Sequence, residues 1–238
     1  MTEPLWAIVP AAGCGRRVGG TVPKQYLPLA GASVIEHALA SVLAAPGLDG
    51  VMVALATGDD RFARLPLAGD PRVHRVIGGA ERAHSVLAAA DALAARLPAA
   101  DRAWVLVHDA ARPCLHPDDL ARLLACRGAT PGALLACPLA DTLKQAAASE
   151  AERPVVARTL PREGLWRAMT PQLFPLALLR EALRAGLNAG AMPTDEADAL
   201  ERLGHAPVLV PGRADNLKIT RPEDLALAGA VLAARGVA

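Results

Sequence analysis

Short apolar runs alternate with amphipathic helical segments along most of this chain, and this alternation limits the folds it can adopt. Val51 to Ala56, Trp104 to Val107 and Ala133 to Leu139 are nearly continuously apolar, which is typical of strands covered on both faces. A helix is predicted over Glu81 to Leu97 from its apolar stripe. Strand, helix and strand in succession with short connections predict an α/β fold with a mostly parallel sheet flanked by helices.

Capping residues predict where several helices begin. Ser33 with Glu36 three residues later forms a capping box. Thr194 is predicted to cap a helix over Asp195 to Leu203, because acidic residues occupy its first turn. A short strand is predicted at Leu217 to Ile219.

Composition excludes several classes of protein. Of the 238 residues, 53% are hydrophobic and 21% are charged, so a sizeable core is available and a disordered chain is disfavoured. The net charge of +1 disfavours a globally basic nucleic-acid binder. The first apolar run is too short for a signal peptide or a membrane span. The four cysteines show no C-x-x-C pair and no His-rich tract, so we expect reduced thiols in a cytoplasmic protein.

The stretch from Ile8 to Leu29 carries the first candidate site. A strand breaks at Pro10 into a loop of small residues, which is followed by cations. Such a loop lets backbone N–H groups approach a phosphate chain, and the cations neutralise its charge. The small residues are Ala11, Ala12, Gly13 and Gly15, and the cations are Arg16, Arg17 and Lys24. The alternative is an ordinary strand-to-helix turn with solvent-facing basic residues.

Two common nucleotide motifs are absent from the sequence. No G-x-x-x-x-G-K-[ST] occurs, and Val18 stands where a dinucleotide fingerprint needs its third glycine. The Ala11 loop, Gly78-Gly79 and Asp109 nevertheless all follow predicted strands, so we expect them to share one crevice beyond the strand ends. His108 precedes Asp109 and is predicted to be packed or hydrogen-bonded on the opposite face.

The pattern changes between residues 140 and 162. Two short β-like pieces flank an alanine-rich, polar middle that contains Pro154. So long an irregular connection predicts either a lid or a projecting hairpin arm, and an arm usually needs a partner to cover it.

Ordered motifs along the chain resemble the 2-C-methyl-D-erythritol 4-phosphate cytidylyltransferase family of the non-mevalonate isoprenoid pathway. After the opening loop these are GGAERAHSV, VHDAARP, ADTLK, REGLW, TPQLF, TDEADALE and GRADNLKITRPEDL. The resemblance covers nearly the full length. It implies a Rossmann-like, doubly wound, mostly parallel sheet of the nucleotidyltransferase type. It also implies a single nucleotidyltransferase domain over residues 1–238, with residues 140–162 as a projecting dimerisation arm.

The family's reaction transfers CMP from CTP to 2-C-methyl-D-erythritol 4-phosphate, giving 4-diphosphocytidyl-2-C-methyl-D-erythritol and pyrophosphate. A phosphate monoester has a second pKa of about 6, so the attacking oxygen is already largely ionised and no general base is needed. The chemistry instead needs cations, backbone donors and Mg²⁺ to bring two polyanions together.

The resemblance assigns roles to residues around CTP. Arg17 and Lys24 would stabilise the transition state at the α-phosphate. Asp109 would lie near Mg²⁺ and the ribose, with Arg112 beside it. The residues that would contact the nucleotide are Ala11, Ala12, Gly13 and Gly15 at the phosphates, and Gly79, Arg82 and Ser85 at the cytosine.

The resemblance also assigns a site for the second substrate. Arg162 and Lys218 would position the phosphate of methylerythritol phosphate for attack. Further contacts match Asp141, Thr142, Thr170 and Thr194. In the family the arm reaches a neighbouring subunit, so Asp141, Thr142 and Arg162 would serve the other protomer's site, and we expect a homodimer.

Three other interpretations stay open at this stage. The same chemistry on another polyol phosphate, such as ribitol 5-phosphate, would use the same CTP loop. A nicotinamide-dependent dehydrogenase is disfavoured by Val18 and by Arg16-Arg17, although fold analogy alone does not exclude it. A non-catalytic nucleotide-binding module would bind CTP without releasing pyrophosphate.

Overall fold

The computed structural model describes residues 3–13, 22–128, 131–148 and 153–237. In these residues the predicted alternation is observed as eleven strands and six α-helices. The strands are β1 (Leu5–Pro10), β2 (Pro28–Leu29), β3 (Ala32–Ser33), β4 (Gly50–Leu55), β5 (Val73–Ile77), β6 (Trp104–Val107), β7 (Ala133–Pro138), β8 (Leu143–Ala146), β9 (Val156–Leu160), β10 (Trp166–Pro175) and β11 (Val208–Pro211). The helices are α1 (Val34–Leu43), α2 (Arg82–Arg96), α3 (Pro117–Leu124), α4 (Leu176–Asn188), α5 (Glu196–Glu201) and α6 (Glu223–Ala234).

Seven of the described strands form the central sheet, in the order β11-β7-β10-β6-β1-β4-β5. β10 runs antiparallel to both of its neighbours, β6 and β7. The other pairings are parallel. The parallel strands therefore end at the same edge of the sheet, and the predicted mostly parallel α/β fold is confirmed.

Both faces of the sheet are covered by helices. Along β1 the side chains alternate, so that Leu5, Ala7 and Val9 belong to one buried cluster while Trp6 and Ile8 belong to another. The first cluster contains residues of α1 and α3, and the second contains residues of α2, α4 and α5. This two-sided packing explains why the strand sequences are continuously apolar and confirms the doubly wound architecture.

A third buried cluster packs the C-terminal helix against the β2-β3 hairpin and the start of α1. Ala228 and Leu232 of α6 pack with Leu29 and Val34 near the β2-β3 hairpin, and with Ile219. The segment that leads into α6 is also tied to the loop after β6, where the Ile219 N–H donates to the Ala111 carbonyl (2.8 Å). Among the described residues, no helix is both long enough and apolar enough to cross a membrane.

Two local predictions are wrong. Leu217 to Ile219 does not form a strand, because the Ile219 N–H donates to the Ala111 carbonyl (2.8 Å) in a loop instead of joining a sheet ladder. The N-cap of α5 is Asp195, whose carboxylate accepts from the Asp198 N–H (2.8 Å). Thr194 lies one residue earlier and contacts the Asp198 carboxylate.

The predicted arm is observed as a hairpin outside the central sheet. β8 and β9 pair with each other in antiparallel orientation, and nearly all of their residues are exposed. Residues 149–152, which connect β8 and β9 in the sequence, lie outside the described residues. The structure therefore matches a projecting β-arm.

The capping box that begins α1 gives a test of the fold. The Glu36 carboxylate accepts from both the backbone N–H (2.8 Å) and the hydroxyl (2.7 Å) of Ser33. We expect Glu36→Ala to lower the free energy of unfolding by about 1 kcal/mol, measured by urea denaturation. Glu223→Ala is the matched control, because Glu223 is an exposed first-turn acid of α6 whose Arg221 contact is long at 3.9 Å. Equal effects in the two variants would contradict the capping role.

Candidate active site

The carboxyl ends of β1, β5 and β6 enclose a cavity of about 290 Å³, which we call the first cavity. The three loops expected to meet there do so, because Pro10 to Gly13, Gly79 to Arg82 and Asp109 to Ala111 all contribute to its wall. The other lining residues are Lys24, Gln25, Ser85, Lys218 and Thr220. The prediction of a shared crevice is confirmed.

Gln25 holds the small-residue loop in place. Its side chain is buried, and its Nε2 donates to the carbonyls of Ala11 (2.8 Å) and Gly13 (3.0 Å). The Ala11 N–H donates to the Ala54 carbonyl of β4 (2.7 Å). These hydrogen bonds fix the backbone of the loop at Ala11 and Gly13. The sequence analysis missed Gln25, although an amide next to Lys24 in a loop of small residues was a usable signal.

Two glycines allow close packing of the β5-α2 loop, Gly78 against the first loop and Gly79 against α2. A Cβ on Gly78 would lie 2.7 Å from the Ala12 Cβ, and one on Gly79 would lie 2.3 Å from the His84 Cβ. The Ser85 hydroxyl accepts from the Gly79 N–H (3.1 Å) and donates to the Glu81 carbonyl (3.1 Å). Ser85 is therefore a structural support of this loop as well as a residue of the cavity wall.

Lys24 is the described cation of the opening stretch, and it lines the same cavity as Asp109. Its Nζ donates to the Ile219 carbonyl (2.8 Å), which ties the opening stretch to the segment before α6. Gly15, Arg16 and Arg17 lie outside the described residues.

Asp109 lies at the centre of a buried ionic cluster. One carboxylate oxygen accepts from Arg82 Nε (2.8 Å), and the other lies 2.8 Å from Lys218 Nζ and 3.6 Å from Arg112 Nε. Burial opposes the charged form, but the attraction of Arg82, Lys218 and Arg112 outweighs it and holds the pKa of Asp109 well below its ordinary value. Asp109 is therefore ionised at neutral pH.

Arg82 connects Asp109 to a second buried acid. Its Nη1 and Nη2 lie 2.6 Å and 3.0 Å from the two carboxylate oxygens of Glu196, the first residue of α5. Burial disfavours the charged guanidinium, but the two carboxylates raise the pKa of Arg82 above its ordinary value. Glu196 lies in the TDEADALE motif, but the sequence predicted no role for it. A local pattern does not indicate an ion pair with a residue 114 positions away.

A second cavity of about 230 Å³ adjoins the first. The two share Arg82, Asp109 and Lys218 as a common wall. The structure also places three predicted substrate residues around the second cavity: Arg112, Thr170 and Thr194. Gln172 and Asp195 complete its polar lining.

Thr170 and His108 form a buried chain of hydrogen bonds behind the second cavity. Burial lowers the pKa of His108 to about 4, so the ring is neutral. The His108 Nε2 lies 3.0 Å from the Arg112 carbonyl, so it carries the proton, and the Thr170 hydroxyl then donates to Nδ1 (3.1 Å). The same hydroxyl accepts from the Asp109 N–H (3.0 Å). His108 is thus packed and hydrogen-bonded, as predicted.

Asn216 is a further residue that the sequence analysis missed. It is fully buried, and its Nδ2 donates to the Thr170 carbonyl (2.8 Å). The backbone carbonyl of Asn216 accepts from Arg112 Nη1 (2.7 Å). Asn216 therefore links Arg112 and Thr170 to the segment that carries Lys218, through contacts that span 46 and 104 residues.

The predicted arm residues are not part of the wall of either cavity. Asp141, Thr142 and Arg162 do not belong to the described lining of either cavity, and Asp141 and Arg162 are exposed. Arg162 donates to the Ala140 carbonyl at the base of its own arm. Within this one chain they are not brought together with Asp109.

The carboxylates at the site can be assessed as ligands of Mg²⁺. In the described part of the chain, no three His, Cys, Asp or Glu side chains cluster as a metal site would require. Mg²⁺ is commonly held by one or two carboxylates, with substrate phosphates and water completing the octahedron. Asp109 fits that mode, because it is ionised and lines the cavity together with the small-residue loop.

The comparison with known protein families decides the assignment. The family model of 2-C-methyl-D-erythritol 4-phosphate cytidylyltransferase (IspD) matches residues 5–234. The chain belongs to this family. It is therefore a nucleotidyltransferase, and the resemblance drawn from the ordered motifs is confirmed.

Similar proteins support the same conclusion. A 2-C-methyl-D-erythritol 4-phosphate cytidylyltransferase of Escherichia coli O1:K1 / APEC is 54% identical over 223 residues, covering 93% of this chain and 91% of that relative. A crystal structure of 4-diphosphocytidyl-2C-methyl-D-erythritol synthase superposes with a TM-score of 0.83 at 36% identity, covering 97% of this chain and 100% of the other. The cytidylyltransferase from Thermus thermophilus gives a TM-score of 0.76 at 35% identity, covering 95% and 98%.

The close approach at Gly79 gives a test of the site's construction. We expect Gly79→Ala to lower the free energy of unfolding by about 1–3 kcal/mol, because the new methyl group overlaps His84. We also expect weaker binding of CTP, measured by calorimetry, because the loop must move. Gly69→Ala is the control, since a Cβ there meets nothing within 4 Å. Normal stability and CTP binding in Gly79→Ala would show that the loop does not need this contact.

Proposed function

We propose that this chain transfers CMP from CTP to 2-C-methyl-D-erythritol 4-phosphate and releases pyrophosphate, with CTP in the first cavity and the polyol phosphate in the second. The observation that carries the proposal is the common wall of Arg82, Asp109 and Lys218. Two anionic substrates, one in each cavity, would both lie beside the cationic side chains of Arg82 and Lys218. This arrangement suits joining one phosphate oxygen to another substrate's α-phosphorus.

The chemistry needs charge stabilisation more than proton transfer. The substrate's phosphate oxygen is largely ionised at neutral pH, so its attack requires no general base. Lys24, within the first cavity, and Arg17 are proposed to stabilise the negative charge that develops at the α-phosphate. Pyrophosphate leaves along the loop of Ala11, Ala12, Gly13 and Gly15. The Ala11 N–H is used by the Ala54 carbonyl, so the N–H groups that follow Ala11 are proposed to hold the pyrophosphate oxygens.

The cytosine is proposed to lie against Gly79, Arg82 and Ser85. The Arg82 guanidinium is engaged by Asp109 and Glu196, so its backbone at the start of α2 is the group offered to the base. The unpaired N–H groups of the first helical turn can donate to the acceptor atoms of cytosine. This refines the role that the family resemblance gave to Arg82.

The polyol phosphate is proposed to bind in the second cavity. Lys218 and Arg112 would attract and orient its phosphate. Thr194 is exposed at the cavity rim and would contact the polyol. The Thr170 hydroxyl donates to His108 and accepts from the Asp109 N–H. Thr170 is therefore proposed to form part of the cavity wall beside the polyol phosphate.

Mg²⁺ is proposed as the cofactor, held by Asp109 together with phosphate oxygens of CTP. When bound, it would neutralise charge on the triphosphate and polarise the reacting phosphoryl group. The Lys218 and Arg82 ion pairs keep Asp109 ionised and in place for this role.

A homodimer is proposed to complete the site, with the arm of one protomer reaching its partner. The support is that Asp141, Thr142 and Arg162 line neither cavity of their own chain and belong to an arm whose residues are mostly exposed. A cytoplasmic location is proposed as well, in keeping with the free thiols of Cys114, Cys126 and Cys137.

The first test measures pyrophosphate release from CTP with each polyol phosphate. We expect turnover with 2-C-methyl-D-erythritol 4-phosphate and little with ribitol 5-phosphate. We expect Lys24→Met and Arg17→Met to lower turnover by about 100-fold or more, the scale for loss of a transition-state charge donor. Arg64→Met is the control, because Arg64 is exposed and pairs only with Asp60 among the described contacts. Near-normal turnover in both test variants would remove these cations from the mechanism.

The second test asks whether the arm acts in the partner's site. We expect Arg162→Ala to impair use of the polyol phosphate while CTP binding stays intact. When Arg162→Ala and Lys24→Met subunits are mixed, each mixed dimer regains one intact site if the arm acts across the interface. Activity should then return to about 25% of the wild-type value. No recovery on mixing would place Arg162 in its own chain's site.

A further inference from the structure

We propose that Glu196 is a positioning residue, which divides the Arg82 guanidinium between two acids and so leaves one oxygen of Asp109 to Lys218. The inference rests on the proposed function of the two cavities. Glu196 itself is absent from the described lining of both cavities, so it acts through Arg82 and not by touching a substrate.

The geometry of Arg82 supports this role. Glu196 takes both terminal nitrogens of the guanidinium in a bidentate pair, at 2.6 Å and 3.0 Å. The Nε N–H donates to one carboxylate oxygen of Asp109 at 2.8 Å, and no described contact joins Arg82 to the other oxygen. The other oxygen of Asp109 lies 2.8 Å from Lys218 Nζ. The orientation of Arg82 thus decides how the Asp109 carboxylate is shared.

Loss of the Glu196 charge would change that sharing. Among the described contacts, Arg82 would retain Asp109 as its only carboxylate partner. A guanidinium prefers to pair with a carboxylate through two parallel N–H bonds, and would therefore compete with Lys218 for the second oxygen. Lys218 would lose its fixed position at the boundary where the polyol phosphate is proposed to bind.

Glu196 is itself held firmly. Its side chain is only 1% exposed, and it begins a helix whose cap is Asp195. Gln172 of β10 accepts from the Ala197 N–H (3.0 Å) and donates to the Asp195 carboxylate (2.9 Å). The carboxylate is therefore presented to Arg82 from a fixed helix end, and a shorter acid could not follow Arg82 without moving that end.

The test compares Glu196→Gln with Glu201→Gln. Glu201 ends the same helix, is exposed and lines neither cavity, so it controls for loss of an acid from α5. We expect kcat/KM for the polyol phosphate to fall about 10-fold to 100-fold in Glu196→Gln, with CTP affinity in calorimetry changed less than about threefold. Glu201→Gln should match the wild type.

A double-mutant cycle separates positioning from a merely structural role. If Glu196 acts through Arg82, adding Glu196→Gln to an Arg82→Gln background should cause little further loss of kcat/KM. A structural contribution would instead multiply the two losses and lower the melting temperature in proportion. Glu196→Asp should not restore activity, because it keeps the charge but not the reach.

The outcomes distinguish this inference from the proposed function. If the wild-type chain releases no pyrophosphate from CTP with the polyol phosphate, the proposed function fails. If the wild type is active and Glu196→Gln has normal kcat/KM, or its loss multiplies with that of Arg82→Gln, the positioning role alone is overturned.

Discussion

The buried carboxylate of Asp109 is the interaction on which the rest of the site depends. A charge removed from water is costly unless it is paired, and here the pairing comes from separate parts of the chain. Arg82 begins α2, Lys218 lies in the segment before α6, and Arg112 follows β6. The ion pairs therefore fix the relative positions of these three segments. Both cavities share Arg82, Asp109 and Lys218 of this cluster as their common wall.

The sheet provides the frame that makes such a cluster possible. The parallel strands end at one edge, so loops that are distant in sequence meet there. The antiparallel strand β10 passes between β6 and β7, and its ladder with β7 shifts register between Ala168 and Gln172. That irregular stretch brings the Thr170 hydroxyl to the Asp109 N–H. Irregularities of this kind often lie beside active sites, where they direct side chains out of the regular ladder.

Local signals predicted much of the fold. The continuously apolar strands and the capping box at Ser33 follow from short-range patterns that need no partner elsewhere. For residues 140–162 such patterns left a lid and a hairpin arm as alternatives, and the family resemblance favoured the arm. The prediction of a strand at Leu217 to Ile219 was wrong because β propensity says nothing about whether a neighbouring ladder is free. Thr194 was misassigned as a cap because Asp195 beside it offers the better acceptor.

The sequence by itself determined the type of fold, the family and the set of loops that face one crevice, because each is written in periodicity or in ordered motifs. Tertiary structure alone decided which charges meet. Glu196 and Asn216 became visible only when the fold brought them to Arg82 and to Thr170. A hydrogen bond or ion pair between residues far apart in the chain depends on the mutual placement of helix ends and strand ends, and that placement leaves no mark in the local sequence.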